Sequence, residues 1–264
     1  MSNDRLAAAL REGRPAIGSA HMIQDIAITE SLAGVDLDFL LVDMQHVAIT
    51  IETLQHVLIA LGPTDLSVLV RPVWNDPVAI GQVLDVGAAG VIVPMVNTAE
   101  DAARAVAAAR YPPLGTRSWG PRRVSWLGGP AEYARLANDA ITVLTQVETA
   151  EAVKNLDDIL AVPGLDGVMV GPSDLAISLG YGDDRNNPEV LEVIQGVLDR
   201  CLARGVPFGF FAGSIEQAGY WIGRGSRITT CSADVAAVVS GMATLASALR
   251  GSVAEVAGSG NGGR

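Results

Sequence analysis

Cysteine is scarce in this chain, and its scarcity excludes a disulfide scaffold. The two thiols, Cys201 and Cys231, form neither a C-x-x-C pair nor a zinc-ligand spacing. Two cysteines cannot staple 264 residues, so a reducing cytoplasm is the expected setting. Aromatic residues are also few, at 5%, which leaves Ala, Val, Leu and Ile to fill the interior. Charged residues make up 18% of the chain, against about a quarter in ordinary soluble domains. Basic residues are outnumbered 18 to 29, for a net charge of −11. With no basic stripe, the chain is expected to bind neither nucleic acid nor an anionic membrane surface. No uninterrupted apolar run reaches the ~18 residues of a membrane-span candidate. The opening stretch MSNDRLAAALREGRP lacks the apolar core and cleavage site of a signal peptide.

What the chain has is a high apolar content, 49%, laid out in a repeating pattern. Short apolar runs at 16–20, 39–42, 67–71, 90–94, 142–147, 167–170, 207–211 and 227–230 read as strands. Most are continuous rather than alternating, as strands buried on both faces should be. Between them lie helical patterns at 51–61, 79–86, 99–109, 150–160, 188–203 and 215–222. Eight such alternations imply parallel βα units. A length near the ~250 residues of a TIM-type barrel favours closure into a (β/α)₈ barrel. The rival is an open, doubly wound sheet. Such a sheet usually announces a G-x-G-x-x-G turn after its first strand, and Ile17-Gly18-Ser19-Ala20-His21 is not one. Residues 1–250 therefore read as a single barrel domain, and 251–264, ending GSGNGGR, as a disordered tail. A Pro-, Gly- and Arg-rich excursion at 110–138 interrupts the rhythm. Excursions of that length are often functional or interfacial.

In a barrel the C-terminal strand ends carry the active site, so the residues that follow each strand are the test. The second strand ends in Asp43 and leads to Met44-Gln45-His46; the third ends in Arg71. The fifth carries Gln146 and leads to Glu148, and the sixth leads to Gly171-Pro172-Ser173-Asp174. Two carboxylates on adjacent strand ends repel unless a cation lies between them. Glu148 and Asp174 are thus candidate ligands of Mg²⁺ or Mn²⁺; the alternative is that each caps the helix that follows it. His46 beside Asp43 suits an oriented general base, or a plain loop histidine. His56 falls in a helical pattern, and His21 ends the first strand without an evident partner. Arg71 emerges from the apolar run SVLV and needs an anion, either a substrate carboxylate or oxyanion, or an internal ion pair with Asp43 or Asp76. The amides of Gly171, Ser173 and Asp174 could form a carboxylate nest. Arg117, Arg122 and Arg123 are candidates to close over an anionic substrate, or to serve a subunit interface.

In this order these residues resemble the HpcH/HpaI family of class II, metal-dependent 2-oxo-acid aldolases of the 4-hydroxy-2-oxoheptanedioate aldolase type. The segments that carry the resemblance are LLVDMQH (40–46), VLVRPVWNDP (68–77), LDVGAAGVIVPMVNTAEDA (84–102), RYPPLGTRSWGP (110–121), QVETAEAVKNLDDIL (146–160) and GLDGVMVGPSDLAISLGY (164–181). The resemblance implies a barrel of the phosphoenolpyruvate/pyruvate-binding type that reversibly cleaves 4-hydroxy-2-oxo acids to pyruvate and an aldehyde. It implies Glu148 and Asp174 as ligands of a divalent cation (Mg²⁺, Mn²⁺ or Co²⁺), with pyruvate chelating the metal. His46, oriented by Asp43, would act as base through a water on the metal, and Arg71 would stabilise the enolate oxygen. Gln146 would lie beside the metal, and Gly171, Pro172, Ser173 and Asp174 would hold the substrate carboxylate. It further implies a homo-oligomer, hexamer or trimer, with the last helix packed on a neighbour and Asp85 reaching a neighbouring subunit's site. Gln45 departs from the acid many members carry there, and Val47 and Ala48 replace smaller residues.

Two other readings share these residues: a citrate-lyase-β or malyl-CoA-lyase-like enzyme, and a non-catalytic barrel that binds a 2-oxo acid. No basic patch for a CoA tail is evident, and the intact acid, Arg and His set argues against a non-catalytic barrel. Lys154 lies in a helical pattern rather than at a strand end, which argues against a Schiff-base aldolase.

Overall fold

The apolar runs become strands because each has a lipophilic side chain to bury on both faces. The structure, a computed structural model, describes residues 4–124 and 129–259. Its strands are β1 (Ala16–His21), β2 (Phe39–Asp43), β3 (Ser67–Arg71), β4 (Gly90–Val93), β5 (Thr142–Val147), β6 (Gly167–Val170), β7 (Phe208–Phe211) and β8 (Ile228–Ala233). They pair in parallel in chain order and close, β8 on β1, into a TIM-type (β/α)₈ barrel.

The helices are α1 (Arg5–Glu12), α2 (Ile26–Leu32), α3 (Ile51–Ala60), α4 (Pro77–Asp85), α5 (Ala99–Ala109) and α6 (Pro130–Ala140), followed by α7 (Ala150–Lys154), α8 (Leu156–Leu160), α9 (Pro172–Ser178), α10 (Pro188–Arg204), α11 (Ile215–Arg224) and α12 (Asp234–Ser259). Their starts are chemically marked. Asp76 caps α4 ahead of Pro77, Thr98 and Asp101 form a capping box on α5, and Asn187 caps α10 ahead of Pro188.

Period-two alternation splits each strand between two cores. Phe39, Leu41, Leu69, Ile92, Leu144, Met169 and Ile228 fill the barrel interior, which α1 closes from below with Leu6 and Ala9. Leu40, Val42, Val68, Val70, Val143, Val168 and Phe210 face the helices. Gly18 leaves room for Phe39: a Cβ there would sit on the Phe39 ring. The same alternation decides what reaches the upper rim. Two residues beyond Leu41, Leu69, Leu144 and Met169 lie Asp43, Arg71, Gln146 and Gly171, and Glu148 follows Gln146 by two.

The structure departs from the sequence reading in three places. The helix expected over 150–160 breaks at Asn155, whose side chain is drawn off to donate to the Asn97 carbonyl at 2.9 Å. The terminal helix α12 extends past residue 250, the expected end of the barrel domain, to Ser259. The Ala-, Val- and Leu-rich run leading into that segment sustains the helix. In the long excursion, Arg117 and Arg123 lie away from the rim formed by the strand C-termini. Arg117 is buried with its guanidinium 4.6 Å from the Tyr111 ring centre and paired with Asp85 at 2.6 Å. Arg123 donates to the carbonyls of Val86 and Leu58. Both contacts lie at helix C-termini, the end of the barrel opposite the strand C-termini.

The terminal helix follows β8 without a linker. Val235, Val238, Met242, Leu245 and Leu249 are exposed along it, spaced alternately three and four residues apart. Its Asp234–Val253 stretch is long and apolar enough to cross a bilayer by length and composition. At its root, Asp234 accepts the amides of Met22 and Ile23 and pairs with His21 Nδ1 at 2.8 Å. His21 Nε2 meets Thr29 Oγ1 at 2.9 Å, so this buried ring has a partner on each nitrogen.

Candidate active site

The strand ends bring Asp43, Arg71, Gln146, Glu148 and Gly171 onto one rim. Arg71 forks onto Asp43, with Nε donating to Oδ1 at 2.9 Å and Nη2 to Oδ2 at 2.6 Å. Its Nη1 donates to Gln146 Oε1 at 3.4 Å, and the guanidinium lies 5.7 Å from the centre of the Phe211 ring. A bidentate fork fixes both planes, which a lysine could not do. Asp43 also accepts the amides of Gln45 at 2.9 Å and His46 at 3.4 Å. Burial works to raise the Asp43 carboxyl, but the Arg71 hydrogen bonds and charge outweigh it and hold the group below its ordinary value.

Glu148 is 1% exposed. Its Oε1 accepts the Met95 amide at 2.6 Å and its Oε2 accepts Gln146 Nε2. Gly171 lies against it; a Cβ at that position would come within 3.1 Å of the Glu148 Cβ and 2.7 Å of Gln146 Nε2. Burial, the largest influence, pushes the Glu148 carboxyl above its ordinary value, and the Asp174 charge adds to the rise. Neither carboxylate owes its place to capping by its own side chain. Thr149, not Glu148, caps α7. Asp174 sits in the first turn of α9, whose N-cap is Gly171 with no side-chain hydrogen bond.

These observations bear on the metal directly. Glu148 is a buried acid next to a second acid, and the nearby arginine is committed to Asp43. Two hydrogen bonds leave part of its acceptor capacity open. Among the described residues no three His, Cys, Asp or Glu side chains cluster as a ready-made ligand cage. The pair therefore fits a hard cation that takes one or two carboxylates and completes its shell with water and substrate oxygens.

His46 lies exposed in the loop after β2, and the Asp43 carboxylate touches its backbone amide rather than its ring. Of the expected nest, the Gly171 amide is occupied by the Val147 carbonyl at 3.2 Å. The amides of Ser173 and Asp174 remain, in a first helical turn that lacks internal acceptors. Asp85 lies at the far end of the barrel with Arg117, remote from this rim in its own chain. Sequence reasoning missed Met95. Nothing in its side chain signals a role, because its contribution is a backbone amide.

The chain matches the HpcH/HpaI aldolase/citrate lyase family over residues 22–241. It belongs to that family. Similar to it is the 4-hydroxy-2-oxo-heptane-1,7-dioate aldolase of Salmonella typhimurium, at 39% identity over 90% of this chain and 91% of the relative. The 2-dehydro-3,6-dideoxy-6-sulfogluconate aldolase of Pseudomonas putida is 37% identical over 91% of this chain and 94% of its own. Among solved structures, an HpcH/HpaI aldolase/citrate lyase family protein from Burkholderia cenocepacia superposes with a TM-score of 0.88. It is 30% identical and covers 94% of this chain and all of its own. As a family member the chain is an aldolase, a carbon–carbon lyase.

Proposed function

We propose that this aldolase cleaves a 4-hydroxy-2-oxo acid reversibly to pyruvate, or a related 2-oxo acid, and an aldehyde, using a divalent cation held by Glu148 and Asp174. The observation that carries the reading is the buried Glu148, oriented from both oxygens beside Asp174 and facing an Arg71 already locked onto Asp43. When bound, Mg²⁺, Mn²⁺ or Co²⁺ would polarise the 2-oxo group and stabilise negative charge on its oxygen. The chain's own residues do the rest. Three of the five guanidinium N–H groups of Arg71 are used by Asp43 and Gln146. The remaining two are free to donate to the enolate oxygen as charge develops there. Asp43 and Gln146 keep those donors aimed. His46 takes the C4 hydroxyl proton through a water as the C3–C4 bond breaks, which releases the aldehyde. Returning a proton to C3 gives pyruvate. The first-turn amides of α9 at Ser173 and Asp174 receive the substrate carboxylate.

We place the protein in the cytoplasm, in keeping with its unpaired Cys201 and Cys231. It acts as a homo-oligomer, hexamer or trimer. The exposed apolar face of α12 supports this: its three-and-four spacing suits packing on a neighbouring subunit. Asp85 is free of its own rim and thus placed to serve a neighbour's. The deciding experiment is exchange of the pyruvate C3 protons for deuterium. Exchange is expected with added divalent ion and is expected to stop with EDTA. Exchange that survives EDTA, or fails with every divalent ion, overturns the reading.

A further inference from the structure

One residue at the rim carries a backbone conformation its side chain does not favour. Met95 has φ of +55°, and it is the one non-glycine residue with positive φ among the described residues. Left-handed backbone is uncommon outside glycine, asparagine and aspartate. Such residues persist where their surroundings over-determine them, and they gather at functional sites.

The surroundings here are explicit. On one side, Met95 follows β4, whose residues Val91–Val93 are fixed by pairing with β5. On the other, Asn97 is held at three of its polar groups. Its amide donates to Asp101 Oδ2 at 3.0 Å, its carbonyl accepts Asn155 Nδ2 at 2.9 Å, and its side-chain oxygen accepts the Thr149 hydroxyl. The turn between these anchors falls on Met95 and directs its N–H onto Glu148 Oε1. Gln146 holds the other oxygen.

We propose that Met95 is a positioning residue for the metal-ligating carboxylate of Glu148, acting through its left-handed backbone and N–H rather than through its side chain. The inference rests on the reading of Glu148 and Asp174 as metal ligands. The amide on one oxygen and Gln146 on the other fix the rotation of the carboxylate, so its open lone pairs keep one orientation when no ion is present. Groups that orient a metal ligand contribute strongly to affinity: their loss typically costs about 10- to 100-fold.

The prediction follows tolerance of positive φ, not resemblance to methionine. Mn²⁺ binding to EDTA-stripped, dialysed protein, measured by titration calorimetry, reads it without recourse to turnover. Met95→Gly and Met95→Asn accept the left-handed conformation and are expected to bind within about threefold of the parent. Met95→Ile, β-branched and intolerant of that region, is expected to bind about 10- to 100-fold more weakly. Loss of affinity in the Gly and Asn variants would assign the effect to the side chain and overturn the proposal. This arm stands even where the Ile variant fails to fold. Parent-like affinity in a folded Met95→Ile would overturn it as well. A parent protein that binds no divalent ion sinks the site reading and this inference together, whereas a binding parent with indifferent variants sinks this inference alone.

Discussion

At the scale of single residues, the site is a chain of hydrogen bonds from Asp43 through Arg71 and Gln146 to Glu148. Asp43→Asn leaves the largely buried guanidinium without its counter-charge and is expected to cost about 3 kcal/mol in urea unfolding. Arg71→Lys keeps the charge but loses the fork, and kcat/KM is expected to fall about 100-fold in pyruvate–aldehyde condensation assays. The two carboxylates give opposite pH dependences. Asp43 sits below its ordinary value, so its contribution is present above the usual carboxylate range and is lost as pH falls through the lowered value. Glu148 sits above its own, so the metal-free folded chain keeps a proton that the unfolded chain has released. Its contribution is present below the ordinary glutamate range and is lost as pH rises through the raised value. Urea titrations in EDTA should show stability climbing out of strong acid and then falling in that upper window. Glu148→Ala should remove the fall and keep the climb. The residues that reached the rim were legible because period two carries them there from buried strands. Their pairings stayed open: Asp43 was a candidate partner of both Arg71 and His46, and the register between β2 and β3, which opposes Asp43 to Arg71, decides for the arginine.

At the scale of elements, the eight strands were legible as continuous apolar runs, most of them to within a residue or two. Helices α2 and α9 were not, being only seven residues each and held by neighbours rather than by their own periodicity. The excursion at 110–138 read as functional or interfacial, with Arg117 a candidate for an anionic substrate or a subunit interface. Its Arg117 lies against the rings of Tyr111 and Tyr133 from the same excursion, a contact that depends on how the excursion folds back on itself. Two predictions belong here. His21→Ala strips the buried Asp234 of a partner at the root of α12 and is expected to destabilise the protein by about 3 kcal/mol in urea. Leu245→Glu with Leu249→Glu places charge on the exposed stripe of α12, and light scattering is expected to show a smaller species than the parent.

For the whole molecule, the barrel's two ends divide the labour. The upper rim concentrates uncompensated acid, while the lower end is plugged by α1 and tied by ion pairs such as Arg5–Asp65 and Arg110–Asp166. An ion that binds only the folded chain must raise its melting temperature by mass action. Mn²⁺ at 100 times its dissociation constant is expected to add about 2.7 kcal/mol of stability. Calorimetric scans with and without EDTA check this, and Asp174→Ala should abolish the difference. The passage from β8 into α12 carries a mechanical consequence. With no linker, the helix inherits its bearing from the strand that closes the barrel, and at 1.5 Å per residue its 26 residues make a lever of ~39 Å. A tilt of roughly 10° at the His21–Asp234 fulcrum would swing the tip by about 7 Å over such a length. Small changes in how the barrel closes would thus be magnified into large changes in where the exposed tip of that helix lies.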